Sequence, residues 1–180
     1  MSAGAGSDAA GWRRLAGLLP GGRSEEVMEC WAIGEQEAAL DLVVSGLLDL
    51  DLPVDEGVRA ELAVVAEEWG QRAALGGRIA GVRSAGPGEP DVRLIGDVDT
   101  DSPGADPTTG LIVVPWIECA ACGSVLGRAH RREPWGGPSF LAVHYLLAPA
   151  RGAAGRRTRV FGGDEVRNAH AALAARPCGR

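Results

Sequence analysis

Residues 30–70 read CWAIGEQEAALDLVVSGLLDLDLPVDEGVRAELAVVAEEWG, and their periodicity decides the fold class. Leu40, Val43, Val44, Leu47 and Leu48 recur at i, i+3, i+4, i+7 and i+8, the apolar stripe of an amphipathic helix. Pro53 biases the residue before it away from the helical region, so this helix must stop near Leu52. Asp55 then has the chemistry of an N-cap, and Glu56 stands in the first turn, where the helix dipole favours a negative charge. Val58, Leu62, Val65 and Trp69 form a second stripe, and Gly70 suits the left-handed position just past its end. Two amphipathic helices joined by so short an elbow are expected to lie antiparallel with their stripes buried together.

The same stretch is strongly acidic. From Gly34 to Gly70 it holds ten carboxylates against one base, Arg59, a local net charge of −9. A solvated helical face accounts for this simply. A docking surface for a basic partner is the sharper reading, because a field of one sign steers encounter with the opposite charge.

On the N-terminal side, residues 1–10 are small and polar and are expected to be disordered. Trp12, Leu15, Leu18 and Leu19 suggest a short amphipathic helix ended by Pro20-Gly21-Gly22. Ser24 can cap another, with Val27, Met28 and Trp31 inward, and Gly34 breaks or bends it. On the C-terminal side, Gln71–Leu75 adds at most a helical turn before Gly76-Gly77, and Arg78–Arg83 has the character of a short strand. Val92–Ile95, Leu111–Ile117, Ser124–Arg131 and Ser139–Leu147 read as strands, with Pro115 marking an edge or a bulge. Residues 149–159 are a basic connection. Asp164 can cap a last helix carrying Val166, Ala169, His170 and Leu173 on one face, ended by Pro177. The expected fold is therefore α+β: residues 11–180 form one domain, with a helical part over 11–76 that includes the antiparallel hairpin. A β-rich part over 78–148, with an antiparallel sheet of about three to five strands, precedes a basic connection over 149–163 and a helix over 164–176.

Composition narrows the function classes. The chain has 180 residues, 46% apolar and 23% charged, with a net charge of −6, as expected of a globular protein. The charge is unevenly spread: residues 1–110 carry 20 acids and 8 bases, and residues 111–180 carry 4 acids and 10 bases. Overall acidity argues against a nucleic-acid partner, which needs a basic footprint. Every base is arginine, so individual arginines carry little functional meaning. No apolar run approaches the length of a membrane span, and the N-terminus lacks a basic segment followed by a long apolar one, so a cytoplasmic location is expected.

One motif has sharp chemistry. Cys119-Ala-Ala-Cys122-Gly123 has the spacing of a zinc knuckle, two thiolates on one ion with a glycine permitting the tight turn. His130, His144, Cys30 and Cys178 are the available further ligands, none at a diagnostic spacing. Plain reduced cysteines at a turn, a structural zinc and a redox pair all remain open. Asp97, Asp99 and Asp101 alternate, but the calcium loop requires Gly and Glu where Ser102 and Thr108 stand. His130, His144 and His170 make no catalytic pattern, and no phosphate-binding glycine motif is present. Trp135, between Pro134 and Gly136-Gly137, is expected to be partly exposed, as an interface anchor or a loop plug.

The run from Gly34 resembles a pattern in small bacterial immunity proteins of polymorphic-toxin systems, the Maf-type immunity family. The residues that carry it are Gly34, Glu35, Ala38 or Ala39, Leu40, Leu47, then the elbow Asp51, Pro53 and Val54, then Leu62. The resemblance covers about 40 of the 180 residues and leaves the β-rich part unexplained. It implies a protein that binds and blocks a cognate toxin without catalysis, with Glu35, Asp41, Asp51, Asp55 and Glu56 as toxin-facing residues. Mimicry of nucleic-acid charge toward a basic toxin domain would be the means. The rival expectation, from a different class, is a zinc-stabilised accessory or regulatory domain built on Cys119 and Cys122.

Overall fold

A computed structural model describes residues 4–95, 110–150 and 157–175, with side chains from residue 9 onward. Five helices, α1 (Gly4–Ala16), α2 (Gly21–Ala32), α3 (Gln36–Asp49), α4 (Glu56–Glu68) and α5 (Arg72–Gly81), precede four strands, β1 (Val92–Leu94), β2 (Leu111–Cys119), β3 (Val125–Arg131) and β4 (His144–Ala148). A fifth strand, β5 (Arg159–Gly162), and a last helix, α6 (Val166–Ala174), follow. The strands form one antiparallel sheet in the order β1-β2-β3-β4-β5. The α+β class read from the sequence is the class observed.

The elbow forms as its residues dictate. Asp55 caps α4, its Oδ1 accepting from Val58 N at 2.8 Å. Asp51 takes the left-handed conformation at φ 49°, which short polar side chains tolerate better than others. Gly70 ends the chain's turn out of α4 at φ 66°, the conformation only glycine adopts at no cost. The helices it joins are less closely paired than expected. α3 packs chiefly on α2 and α5, and meets α4 only lightly.

The reason lies in α4, which is buried on nearly all sides. Beside the expected stripe it carries a second, Ala60, Ala63, Val64 and Glu67, at i, i+3, i+4 and i+7, and all four are buried. α4 therefore serves as the central helix, in contact with β1, α5 and α6 as well as α3. α6 packs on α4 and on β3, β4 and β5. The core runs without a break from Trp12 and Leu15 through Leu40, Leu47 and Leu62 to Ile117, Leu126, Leu147 and Leu173. A fully buried side chain of this size contributes about 1.5–3 kcal/mol by leaving water, so the layers hold one another.

Several expectations need correction. Ser24 and Asp164 are not caps, since α2 begins at Gly21 with Ser24 inside it and Glu165 is the N-cap of α6. α1 begins at Gly4, inside the stretch read as disordered. Residues 78–81 are helix, not strand: Leu75, Ile79 and Val82 are buried at i, i+4 and i+7, and their burial carries α5 through Gly76-Gly77. The last strand was read as the end of a connection, and β4 starts at His144, five residues later than Ser139. Of the two readings open for Pro115, the bulge is the one observed: the register shifts between Pro115 and Ile117, and β2 lies between β1 and β3. Asp97, Asp99, Asp101 and Cys178 lie outside the described residues.

Candidate functional site

The acidic surface divides into paired and unpaired carboxylates. Arginines from outside the hairpin stretch reach back onto it. Arg78 on α5 binds Asp41, Arg83 binds Asp51 at 3.1 Å, Arg14 on α1 grips Glu61 through Nη1 and Nη2, and Arg167 on α6 binds Glu68 at 2.6 Å. Within α4, Arg59 binds Glu56 at 2.6 Å. Of the five expected contact residues, Asp41, Asp51 and Glu56 are thus ion-paired, Asp55 is spent as the helix cap, and Glu35 is exposed. The local charge of the sequence is offset by folding, since the arginines that neutralise it are distant in the chain.

Unpaired acid collects instead at the corner between α2 and α3. Glu25, Glu26, Glu29 and Glu35 are all exposed, and among the described residues none has an ion pair. Glu26, Glu29 and Ile33 fall at i, i+3 and i+7, so they share one side of the helix and its C-cap. Ile33 is 77% exposed, a large apolar side chain set among carboxylates.

A second polar group is hidden beneath α4. Glu67 is buried near the C-terminal end of α4. Its Oε2 is 3.2 Å from Arg72 Nε and 3.5 Å from Arg128 Nη1, and its Oε1 accepts from Tyr145 Oη at 3.2 Å. Arg128 stands on the inward face of β3 with its guanidinium over the Trp116 ring at 5.1 Å, and Trp116 packs on Tyr145 at 6.2 Å between centroids. Burial first, and then the Glu67 charge, hold the Tyr145 hydroxyl well above the ordinary phenol range. A buried charge is tolerable only when so partnered. Sequence reasoning missed this group. Its signal was an arginine at an inward position of an apolar strand, between Leu126 and His130, and a glutamate ending α4's second stripe.

The cysteine turn folds as its spacing requires. Gly123 takes φ 64°, Gly123 N donates to the Cys119 carbonyl at 2.8 Å, and Cys119 N donates to the Ser124 carbonyl at 2.9 Å. Cys119 is buried, and Cys122 is half-buried with its Sγ 3.2 Å from Ser124 Oγ. The two histidines do not join them. His130 is at the far end of β3 from this turn, about 17 Å away at strand rise, and His144 is paired beside it through Ala129. Cys30 lies on α2. Among the described residues no three metal-ligating side chains converge.

His130 has a structural task. Its Nδ1 is 2.8 Å from the Ser139 carbonyl, which can only accept, so that nitrogen carries the proton. Burial chiefly, opposed by this hydrogen bond, lowers its pKa. The bond pins the β3–β4 loop, on which Trp135 is 77%, Phe140 62% and Leu141 60% exposed. Trp135 is thus exposed, as its proline and glycine neighbours suggested.

Two cavities adjoin α4. One of about 420 Å3 lies between α1, α4 and α6, lined by Arg14, Glu61, Glu89, Arg167 and His170. His170 Nε2 is buried in it without a hydrogen-bond partner among the described residues, and burial lowers the His170 pKa against the pull of Glu61. The other, of about 240 Å3, opens beside Arg72, Arg128 and Trp116. No helix among the described residues is long and apolar enough to cross a membrane. In comparisons with known proteins, no family model, no curated protein and no solved structure matches the chain.

Proposed function

We propose that this chain is a non-enzymatic binding protein that docks its acidic helical surface on a basic protein domain, in the manner the resemblance to bacterial immunity proteins implies. The observation that supports it most is the α2–α3 corner, where Glu25, Glu26, Glu29 and Glu35 face water without ion pairs around the exposed Ile33. Carboxylates already paired to arginine have less to offer a partner, so the contact centres on Glu35 and this corner, with Asp41, Asp51, Asp55 and Glu56 flanking it. Free charge steers the encounter, and an exposed apolar anchor contributes on contact. The test is calorimetric titration with a basic toxin domain, sought first among the products of neighbouring genes. Replacing Glu29 and Glu35 by Lys should weaken binding by about tenfold or more and reduce its salt dependence, with the thermal midpoint unchanged. Equal affinity in that double variant rejects the proposal.

The second reading, a zinc-stabilised accessory or regulatory domain, draws support from the Cys119–Gly123 turn, whose backbone is that of a knuckle. It calls for one zinc per chain in elemental analysis of the untagged protein, lost in Cys119→Ser. Metal-free protein whose melting ignores chelator removes it.

A further inference from the structure

The cleft between α5 and the sheet departs from what folding alone asks of it. Gly76 and Gly77 stand in the middle of α5, where glycine weakens a helix relative to alanine. No neighbour demands them. A Cβ at Gly77 would meet nothing within 4 Å, and one at Gly76 only the Arg72 Cγ at 4.0 Å. What they do is widen a cleft of about 240 Å3, whose α4 and α5 side also carries the small residues Ala63, Ala66 and Ala80. Leu94, Ile95 and Trp116 form the sheet side. A cavity of about 150 Å3 already admits a benzene ring. Local choices that weaken a helix without a packing gain are the mark of a functional site.

Charge is placed at one end of this apolar slot. Arg72 holds Nε 3.2 Å from Glu67 Oε2 in an ion pair and donates Nη2 to the Phe140 carbonyl at 2.9 Å, and its Nη1 has no partner among the described residues. The carboxylate it meets is shared, since Arg128 approaches the same Oε2 and Tyr145 occupies Oε1. Arg128 is held over Trp116, with only 3% of its side chain exposed. A guanidinium whose side chain is 29% exposed, oriented by two partners and with a spare donor, is preorganised for a carboxylate or phosphate oxygen.

We propose that this cleft binds a small organic anion, its carboxylate or phosphate group on Arg72 and its apolar body between Trp116 and the Gly76-Gly77 surface. The site is independent of the acidic corner and stands whether or not a protein docks there. The test is an NMR titration of the 15N-labelled full chain with benzoate, with benzamide as a neutral ligand of the same shape. Benzoate should give saturable shifts at the Gly76, Gly77 and Ile95 amides and the Trp116 indole. Benzamide should bind about tenfold more weakly, the scale of one charge-assisted hydrogen bond. Arg72→Gln should erase that difference. Gly77→Leu should block both ligands while the protein melts no lower, which separates a filled cleft from an unfolded chain. Benzoate binding no tighter than benzamide, undiminished binding in Gly77→Leu, or no saturable shift with benzoate or phenyl phosphate would each overturn the proposal.

Discussion

The carboxylates of α3 and α4 stand in two settings that their sequence does not distinguish. At the helical surface Asp41 pairs with Arg78, and both side chains are about half exposed. Beneath α4, Glu67 meets Arg72, Arg128 and Tyr145 and is nearly sealed from solvent. The chemical pair is the same, carboxylate on guanidinium, and its consequences differ. Exposed pairs are screened by water and contribute about 0–1 kcal/mol. Removing one member of a buried pair strands the other, at a cost of about 3–5 kcal/mol. Fold stability therefore hangs on the acid least visible in the sequence, and the visible acids are left for the surface.

The largest effect should come from Glu67→Ala, which takes the buried carboxylate away from Arg72, Arg128 and Tyr145 at once. A loss of about 3 kcal/mol should lower the melting temperature by about 10 °C in a chain of this size, read by calorimetry. Next is Asp55→Ala, which removes the cap on Val58 N and should cost about 1 kcal/mol. Asp41→Asn at the exposed Arg78 pair should cost less than about 0.5 kcal/mol by urea denaturation. A loss at Asp41 comparable with that at Glu67 would erase the contrast between the two settings.

Acid should expose the remaining buried groups. His170 and His130 have folded pKa values held below the ordinary 6.5 by burial. The folded chain then binds fewer protons than the unfolded one below that pH, so stability present at pH 7 is lost as the pH falls through 6.5. Each imidazole that titrates only on unfolding adds a slope of up to about 1.4 kcal/mol per pH unit. His170→Gln should flatten the fall in melting temperature between pH 7 and 5, and an unaltered profile would remove His170 from the explanation. At the alkaline end the sign follows from the raised Tyr145 pKa. The unfolded phenol ionises first, so stability is lost as the pH rises through the ordinary value of 10.0.

How much of this was legible follows the range of the forces involved. The helix at Val58–Trp69, its Asp55 cap, its Gly70 end and the irregularity at Pro115 rest on neighbours within a turn or a strand, and each was readable. Gly76-Gly77 misled, because glycine propensity is a local cost of about 1 kcal/mol each and the burial of Leu75 and Ile79 outweighs it. β5 was missed because Arg159 and Val160 are exposed and only Phe161 faces the core, which leaves no alternation to see. The Glu67 group was hidden because its members lie on α4, α5, β3 and β4 and meet only after the layers close. The neutralisation of the acidic stretch is equally non-local, since Arg14, Arg83 and Arg167 come from both sides of it.

The most direct measurement is a pair of urea unfolding curves at pH 7, one for Glu67→Ala and one for Glu35→Ala, against the unaltered chain. Glu67→Ala should shift the midpoint well below that of the parent at unchanged slope, and Glu35→Ala should leave the curve where it is. Coincident curves for the two variants would contradict the division of the acids into an interior clamp and a free surface.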